Sequence, residues 1–340
     1  MPSPNTSWPE ITTTTLYNRS KKLQDSVSKN NALLNRLSKK GKIKTFDGGQ
    51  AIIQELEYAE NSTVKRYSGY DPLNISPSDA FTSAQFPIAQ IAGAVSISGL
   101  EMLQNSGESK MIDLLDARIG NLERTLKNVI SADCYSSGTA DGGKQIGGLG
   151  LLVPDAPTTG TVGGIDRATW HFWRPALFDF SVAALTPSAT TIQTAMNRLY
   201  LQLTVGSDAP DLIIADNTYF RYYWESLQSI QRIASDKEAS AGFMSLKFMN
   251  ADVIYDGGFQ GVTGATTWSS SGAVTGAPAS HMWMLNTDYI NLRPHKDRNM
   301  VPLDPVDGRF SVNQDAMVKL MAWAGNMTLS NAFKHGVMID

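Results

Sequence analysis

Gln50 to Tyr70 reads QAIIQELEYAENSTVKRYSGY. Two runs within it mix apolar and polar residues in a strand-like way. Ile52, Ile53, Leu56 and Tyr58 mark the first, Gln50 to Tyr58, and Val64 and Tyr67 mark the second, Thr63 to Tyr70. Such runs bounded by turn residues predict two strands, with Glu60-Asn61-Ser62 as the turn between them and Asp47-Gly48-Gly49 as an earlier one. The segment is expected to be a long β-hairpin. Glu55 and Glu57 lie on one limb, Lys65 and Arg66 on the other, and opposite charges across a ladder add about 0.2–1 kcal/mol per pair. An isolated two-stranded hairpin is marginal in water. One this long and this polar has to rest on something, and the rest of the chain is not the only candidate.

Before the hairpin, the first dozen residues are polar, contain proline and read as an extended arm. Leu23, Val27, Leu34 and Leu37 then share one helical face. Lys39 and Lys40 sit in the last turn and Gly41 follows as the C-cap, as a helix C-terminus prefers. The stripe is narrow and polar, which predicts a surface helix and not a core one. Charge is uneven along the chain. Residues 1–45 hold nine basic and two acidic groups, hence +7, on a remainder of −10. Such a segment can dock on an acidic neighbour through Lys39, Lys40, Lys42 and Lys44. It can also meet nucleic acid, or be simply a solvated helix face.

After the hairpin, Asp71-Pro72 and Ser76-Pro77 break the pattern. A strand is expected from Phe86 to Ser98, with Ile91, Val95 and Ile97 on one side. From Glu108 to Tyr135, Met111, Leu115, Ile119, Leu122, Leu126 and Val129 form an amphipathic stripe. That predicts a rod of roughly 40 Å at about 1.5 Å per residue, stopped by Ser136-Ser137-Gly138. Loops and short strands are expected to Thr191, around an aromatic cluster at Trp170, Phe172 and Trp173. A helix over Ala195–Leu203, a buried strand over Asp211–Ala215 and a helix through Tyr219, Phe220, Tyr223, Trp224, Leu227 and Ile230 follow. Further strands are expected at Lys247–Tyr255, Met282–Leu285 and Ala316–Ala324, with a Gly/Ser/Thr-rich loop from Gly257 to Ser280. This succession suits an α/β or α+β unit.

The 340 residues suffice for two or three packing units. A single cysteine, Cys134, excludes an intrachain disulfide. The N-terminus lacks a signal-peptide pattern, and no apolar stretch is long enough to span a bilayer. Gly138-Thr-Ala-Asp-Gly-Gly143-Lys144 matches a phosphate-binding loop through its lysine. Gln145 stands where Ser or Thr must hold magnesium, and the segment follows a helix where the motif needs a strand before it. His171, His281, His295 and His335 are too scattered for a local zinc site, and no Gly-x-Ser-x-Gly elbow occurs. Cys134 lies near the C-terminal end of the rod, where the dipole disfavours a thiolate. Asp113 and Asp116 fit a solvated face or an intersubunit contact. The stripe from Tyr219 to Trp224 has the spacing of a core helix more than of a base-stacking platform.

The order of elements, and the wording of several stretches, resembles the coat proteins of tailed bacteriophages, with the Hong Kong 97-type fold. The stretches are GGQAIIQELEYAENSTVKRYSGYD (48–71), AGAVSISGLEMLQNSGE (92–108), IDLLDARIGNLERTLKNVISADCYSSG (112–138), KQIGGLGLLV (144–153), DLIIADNTYFRYYWESLQSIQRI (211–233) and MWMLNTDYINLRPHKDRNMVPLD (282–304). The resemblance covers nearly all of the chain from about Ser20 and has no short catalytic signature. It implies an α+β phage coat fold: an N-terminal arm and basic helix (1–45), an extended β-hairpin loop (46–80), a peripheral domain with a long spine helix (81–135), an axial domain (136–292) and strands returning to the peripheral domain (293–340). The Gly257–Ser280 loop would be a surface elaboration.

The implied function is self-assembly into pentamers and hexamers of an icosahedral head around double-stranded DNA, without catalysis or cofactor. The implied partners are copies of the chain, a scaffolding protein, a portal, a decoration protein and non-specifically packaged DNA, with no membrane. The protein would reside in the virion after assembly in the host cytoplasm. Intersubunit contacts are expected at Lys39, Lys40, Lys42, Lys44, Glu55, Glu57, Lys65 and Arg66. Two other readings stand beside this one: an encapsulin-like nanocompartment shell, and an unrelated enzyme with a dispersed site.

Overall fold

The computed structural model describes residues 31–104, 108–227, 245–256, 277–303, 309–310 and 316–340. The expected arm, Leu23 and Val27, Ile230, and most of the Gly257–Ser280 loop lie outside them. The fold is α+β, built on two sheets.

The first sheet rests on the rod. In chain order the opening elements are a helix at Ala32–Lys39 (α1), strands at Ile52–Glu57 (β1), Phe81–Phe86 (β2) and Ala89–Ser98 (β3), and the rod, Glu108–Asp133 (α2). The side chains of Met111, Asp113, Leu115 and Asp116 lie outside the described residues. Further along α2, Ile119, Leu126 and Ile130 are buried and Leu122 is half-buried. Val129, expected on this stripe, is instead exposed. At 3.6 residues per turn the face that holds Ile119 and Leu126 continues to Ile130. On β3, Ile91, Gly93, Val95 and Ile97 share one side, as expected. A Cβ at Gly93 would lie 2.2 Å from Leu122 Cδ1, so glycine here lets the rod lie close to the sheet.

The second half of the chain adds strands at Ala176–Asp179 (β4), Leu212–Ala215 (β5), Ser245–Phe248 (β6), Ala251–Tyr255 (β7), His281–Leu285 (β8), Ile290–Pro302 (β9), Arg309–Phe310 (β10), Ala316–Leu329 (β11) and Gly336–Ile339 (β12). Strand β11 is the centre of the first sheet. It pairs antiparallel with β3 on one edge, and with β9 and β10 on the other.

The second sheet has six strands in the order β4-β12-β8-β5-β7-β6. Strand β5, Leu-Ile-Ile-Ala, is buried along its whole length, as a central strand covered on both faces should be. Its alternation divides two cores. Ile213 and Ala215 face the helices Ile192–Leu203 (α3) and Asn217–Ser226 (α4), among Met196, Leu199, Tyr219 and Tyr223. Leu212 and Ile214 belong with Trp283, Leu149 and Tyr135 in the core shared with the rod. The aromatic stripe of α4 is therefore mainly core, with Tyr219, Phe220 and Tyr223 buried. Asp216 caps this helix, its Oδ1 accepting from Tyr219 N at 2.9 Å.

Three expectations need correction. The single strand expected over Lys247–Tyr255 is two, β6 and β7, paired antiparallel across a turn where Met249 has φ +50°. The stretch 293–340 does not stay in one place: β11 lies in the first sheet, but β12 pairs with β8 and β4 inside the second. Finally, α1 is a core helix. Ala32, Leu33, Leu34 and Leu37 are at most 1 % exposed. Leu33 widens the apolar stripe, and the polar residues flanking it are held by the protein. Asn31 Oδ1 accepts from Leu34 N, and Asn31 Nδ2 donates to Ser131 Oγ on the rod at 2.9 Å. Gly41, at φ +66°, ends the helical segment as its sequence predicts.

Candidate assembly surface

The hairpin exists, but its second limb is not Thr63–Tyr70. Strand β1 pairs antiparallel with β2, from Ile52↔Phe86 to Glu57↔Phe81. The reason is the buried face. Ile52, Leu56, Ala84 and Phe86 point the same way and are all buried, whereas Thr63–Tyr70 offers no comparable apolar set to oppose Ile52 and Leu56. The base of the hairpin therefore rests on its own chain. Arg293 reinforces it, donating to Gln54 Oε1 at 3.2 Å.

Beyond Tyr58 the chain forms a long tip without a ladder. Side-chain turns shape it: Asn61 Oδ1 accepts from Thr63 N at 2.9 Å, Asp71 Oδ2 from Ser68 N at 2.9 Å, and Asn74 Oδ1 from Ser76 N at 3.1 Å. This tip carries large apolar side chains into solvent. Val64 is 83 % exposed and Ile75 93 %, and Tyr67, Tyr70 and Leu73 are exposed as well; Phe81, at the end of the ladder below them, is 78 % exposed. Lys65 and Arg66 are exposed beside them. They do not face Glu55 and Glu57 across a ladder, because those glutamates stand opposite Ser83 and Phe81.

The basic segment divides in two. Lys40 Nζ lies 3.1 Å from Asp211 Oδ2 and 3.1 Å from Asp288 Oδ2, and Lys42 Nζ lies 3.6 Å from Asp288 Oδ1. Arg36 joins them, 3.1 Å from Asp211 and 3.3 Å from Asp252. The charge of Lys40 and Lys42 is thus engaged within the chain, while Lys39 and Lys44 are exposed. Burial opposes ionisation of Asp211, but hydrogen bonds from Thr287 N and Oγ1 and the Lys40 ammonium outweigh it and hold its carboxyl below the ordinary value. The acidic partners escape a reading of sequence because Asp211, Asp252 and Asp288 stand singly at strand ends and turns. The exposed apolar tip was equally hidden, since Leu73 and Ile75 lie among prolines and read as a break.

The residues considered for chemistry are scattered. Gly138, Gly142 and Gly143 have positive φ and follow the end of the rod, so the near-miss phosphate loop opens no helix at its lysine. Cys134 is buried beside Asp133, and burial holds its thiol well above the ordinary value. His335 is fully buried and pushed down to about 3 by desolvation. His281 lies 3.0 Å from Asp155 and 2.7 Å from Ala279 O. Burial lowers its basicity, but these two acceptors prevail and raise it. Among the described residues, no three His, Cys, Asp or Glu side chains converge as a metal site, and no helix is long and apolar enough to cross a membrane.

No protein-family model matches the chain, and no curated protein matches it either. Solved structures do. The capsid of cyanophage A-1(L) is similar over 89 % of this chain and 92 % of its own, with a TM-score of 0.62 at 15 % identity. The holo-SrpI encapsulin of Synechococcus elongatus PCC 7942 is similar over 87 % of this chain and 83 % of its own, with a TM-score of 0.51 at 6 % identity. The chain has the Hong Kong 97-type fold of phage capsid and encapsulin shell proteins.

Proposed function

We propose that the chain is the major capsid protein of a phage, a coat subunit that assembles with copies of itself as pentamers and hexamers around double-stranded DNA. On this reading residues 1–45 are the arm and basic helix, 136–292 the core of an axial domain, and the rod with the first sheet a peripheral domain. Strand β12 then belongs with the axial part. Scaffolding protein, portal and decoration protein are its further partners, and the virion is its location after assembly in the bacterial cytoplasm.

The observation that carries this reading is the hairpin tip. A set of exposed apolar residues marks an interaction site, and here it lies beyond the paired limbs Ile52–Glu57 and Phe81–Phe86. A shell subunit that covers its neighbour needs that arrangement, and an isolated monomer gains nothing from it. Of the expected contact residues, Lys39, Lys44, Lys65 and Arg66 are exposed cations, and Glu55 and Glu57 are exposed anions.

An encapsulin-like shell is the second reading, favoured by the nanocompartment likeness at a TM-score of 0.51; the phage capsid likeness at 0.62 supports the first. Purification after expression with and without the co-encoded scaffold, followed by negative-stain microscopy, tests both. Closed icosahedral shells are expected. Soluble monomer under every condition overturns both readings, and shells filled with one enzyme cargo favour the encapsulin.

A further inference from the structure

The base of the hairpin carries a cleft of about 540 Å³, within the size range of small-molecule sites. The rings of Tyr58, Phe81, Trp170 and Phe172 line it, with the carboxylates of Asp79 and Asp166 and no basic side chain. Tyr58, Trp170 and Phe172 each touch the other two, with centroids 5.6, 5.9 and 6.0 Å apart. Fully buried Trp173 packs on Phe172 and anchors the cluster from within. Gln85 N donates to Gly163 O at 2.9 Å and joins the two walls, one from the hairpin and one from the loop around Asp166. Asp166 accepts from Thr169 Oγ1 at 2.7 Å and from Ala168 N at 2.9 Å. These bonds hold its carboxyl below the ordinary value, so it is anionic at neutral pH. Trp170 and Phe81 stay exposed despite the surrounding rings.

We propose that this cleft binds a small quaternary ammonium cation of the choline class. A ring face attracts a cation within about 6 Å of its centroid, and a cation seated on this cluster reaches more than one ring. The two carboxylates add to the attraction. The kind of cation follows from the supply of hydrogen-bond acceptors. Both oxygens of Asp166 already accept a bond from the protein. A primary ammonium has three N–H donors, and those turned toward the rings lose water without gaining a partner. A quaternary ammonium has none to lose, and its methyl groups pack on the rings. An anionic group held close to the nitrogen, as in a betaine or phosphocholine, meets Asp79 and Asp166 and is repelled. Arg174, the cation that acts on Asp166, is engaged by the backbone oxygens of Arg167 and Ala168. The rival cations are Lys65 and Arg66 of the same chain, because Ser62 meets Ser78 at 3.3 Å, next to Asp79. Among the described residues neither of them pairs with Asp79. One chain builds the whole cleft, so the proposal does not depend on the shell reading.

Saturation-transfer NMR on the full-length chain, titrated with choline chloride at constant ionic strength, tests the assignment. Saturable transfer to the N-methyl protons is expected. Dimethylbutanol, the neutral carbon isostere of choline, and glycine betaine should each bind about tenfold more weakly, since one lacks the charge and the other carries an opposing carboxylate. Trp170→Ala and Asp79→Asn should each weaken choline about fivefold, and Trp170→Phe should recover most of the loss. Both positions are exposed, so urea midpoints should match wild type. If Trp170→Ala shifts its midpoint, Asp79→Asn alone decides. Equal binding of the isostere reduces the cleft to an apolar patch and overturns the proposal. So does choline binding that both variants leave unchanged, which places the cation elsewhere. Transfer absent from wild type but present in K65A with R66A assigns the cleft to the tip of its own chain, and transfer absent from both removes the site; either overturns the proposal and leaves the shell reading untouched.

Discussion

Arg36 Nε lies 3.1 Å from Asp211 Oδ2, across 175 positions of chain, and ties the helix before the hairpin to the start of β5. Both side chains are only 16 % exposed, so the pair is screened less than a surface bridge. Asp211→Asn leaves Arg36 and Lys40 facing a neutral group and is expected to cost about 2–4 kcal/mol in urea unfolding. The folded pKa of Asp211 is depressed, so its contribution is complete above the unfolded value near 3.9 and is lost as pH falls through the folded one. The variant should therefore lose less stability than wild type below about pH 4. Lys44→Ala, at an exposed position, should change unfolding by no more than about 0.5 kcal/mol.

A second pH effect comes from His335. Its Nδ1 accepts from Asn286 N at 3.3 Å, and the ring is fully buried. With a folded value pushed down to about 3, the unfolded chain binds the extra proton below its own value near 6.5. Stability is then lost as pH falls from about 6.5, by up to one proton's worth of slope. His335→Gln keeps an acceptor and does not titrate. Its stability curve between pH 6 and 4 should be flatter than that of wild type by close to one proton; an identical slope would mean that the ring is already charged.

Two glycines separate rigid from yielding contacts. A Cβ at Gly148 would lie 2.2 Å from the carbonyl oxygen of Asp133 and 2.5 Å from that of Cys134. Backbone cannot step aside, and Gly148→Ala is expected to cost about 1–3 kcal/mol or more. At Gly93 the obstacle is the end of the Leu122 side chain, which can rotate. Gly93→Ala should cost less than Gly148→Ala, and Leu122→Ala in the same chain should remove most of its excess cost in a double-mutant cycle.

The tip and the fold should separate cleanly. Tyr58 N donates to Ala80 O at 3.0 Å, so residues 58 and 80 already face each other. Replacing 59–79 with Asn-Gly supplies a two-residue hairpin turn that suits such a pair. The shortened chain should unfold within about 1 kcal/mol of wild type, since the deleted residues are mostly exposed, yet form no closed shells by negative stain. Normal shells from it would remove the tip from assembly.

Period and burial explain what a reading of the residues reached. The rod, β3 and β5 have strong apolar periodicity and lie where expected. The hairpin's first limb was legible for the same reason. Its return limb was not, because Thr63–Tyr70 has strand-like composition while pairing is decided by which apolar face can be buried, and Phe81–Phe86 supplies Ala84 and Phe86. Strand β9 was hidden by Arg293, Lys296, Asp297 and Arg298, polar residues on an irregular edge with register shifts after Pro294. Of the eight expected contact residues, Lys40 and Lys42 met carboxylates in their own chain, since spacing along a chain says nothing of a partner two hundred residues away.

Strand β12 has a consequence for synthesis. Gly336–Ile339 inserts between β4 and β8, strands made long before it. Until those residues leave the ribosome, the second sheet stays split and the core beneath Val337 and Met338 lies open. A nascent or truncated chain thus lacks the finished body against which copies could pack. If the chain is the shell subunit proposed above, order of translation delays association until residue 339 has been made, and incomplete products are kept out of a growing particle.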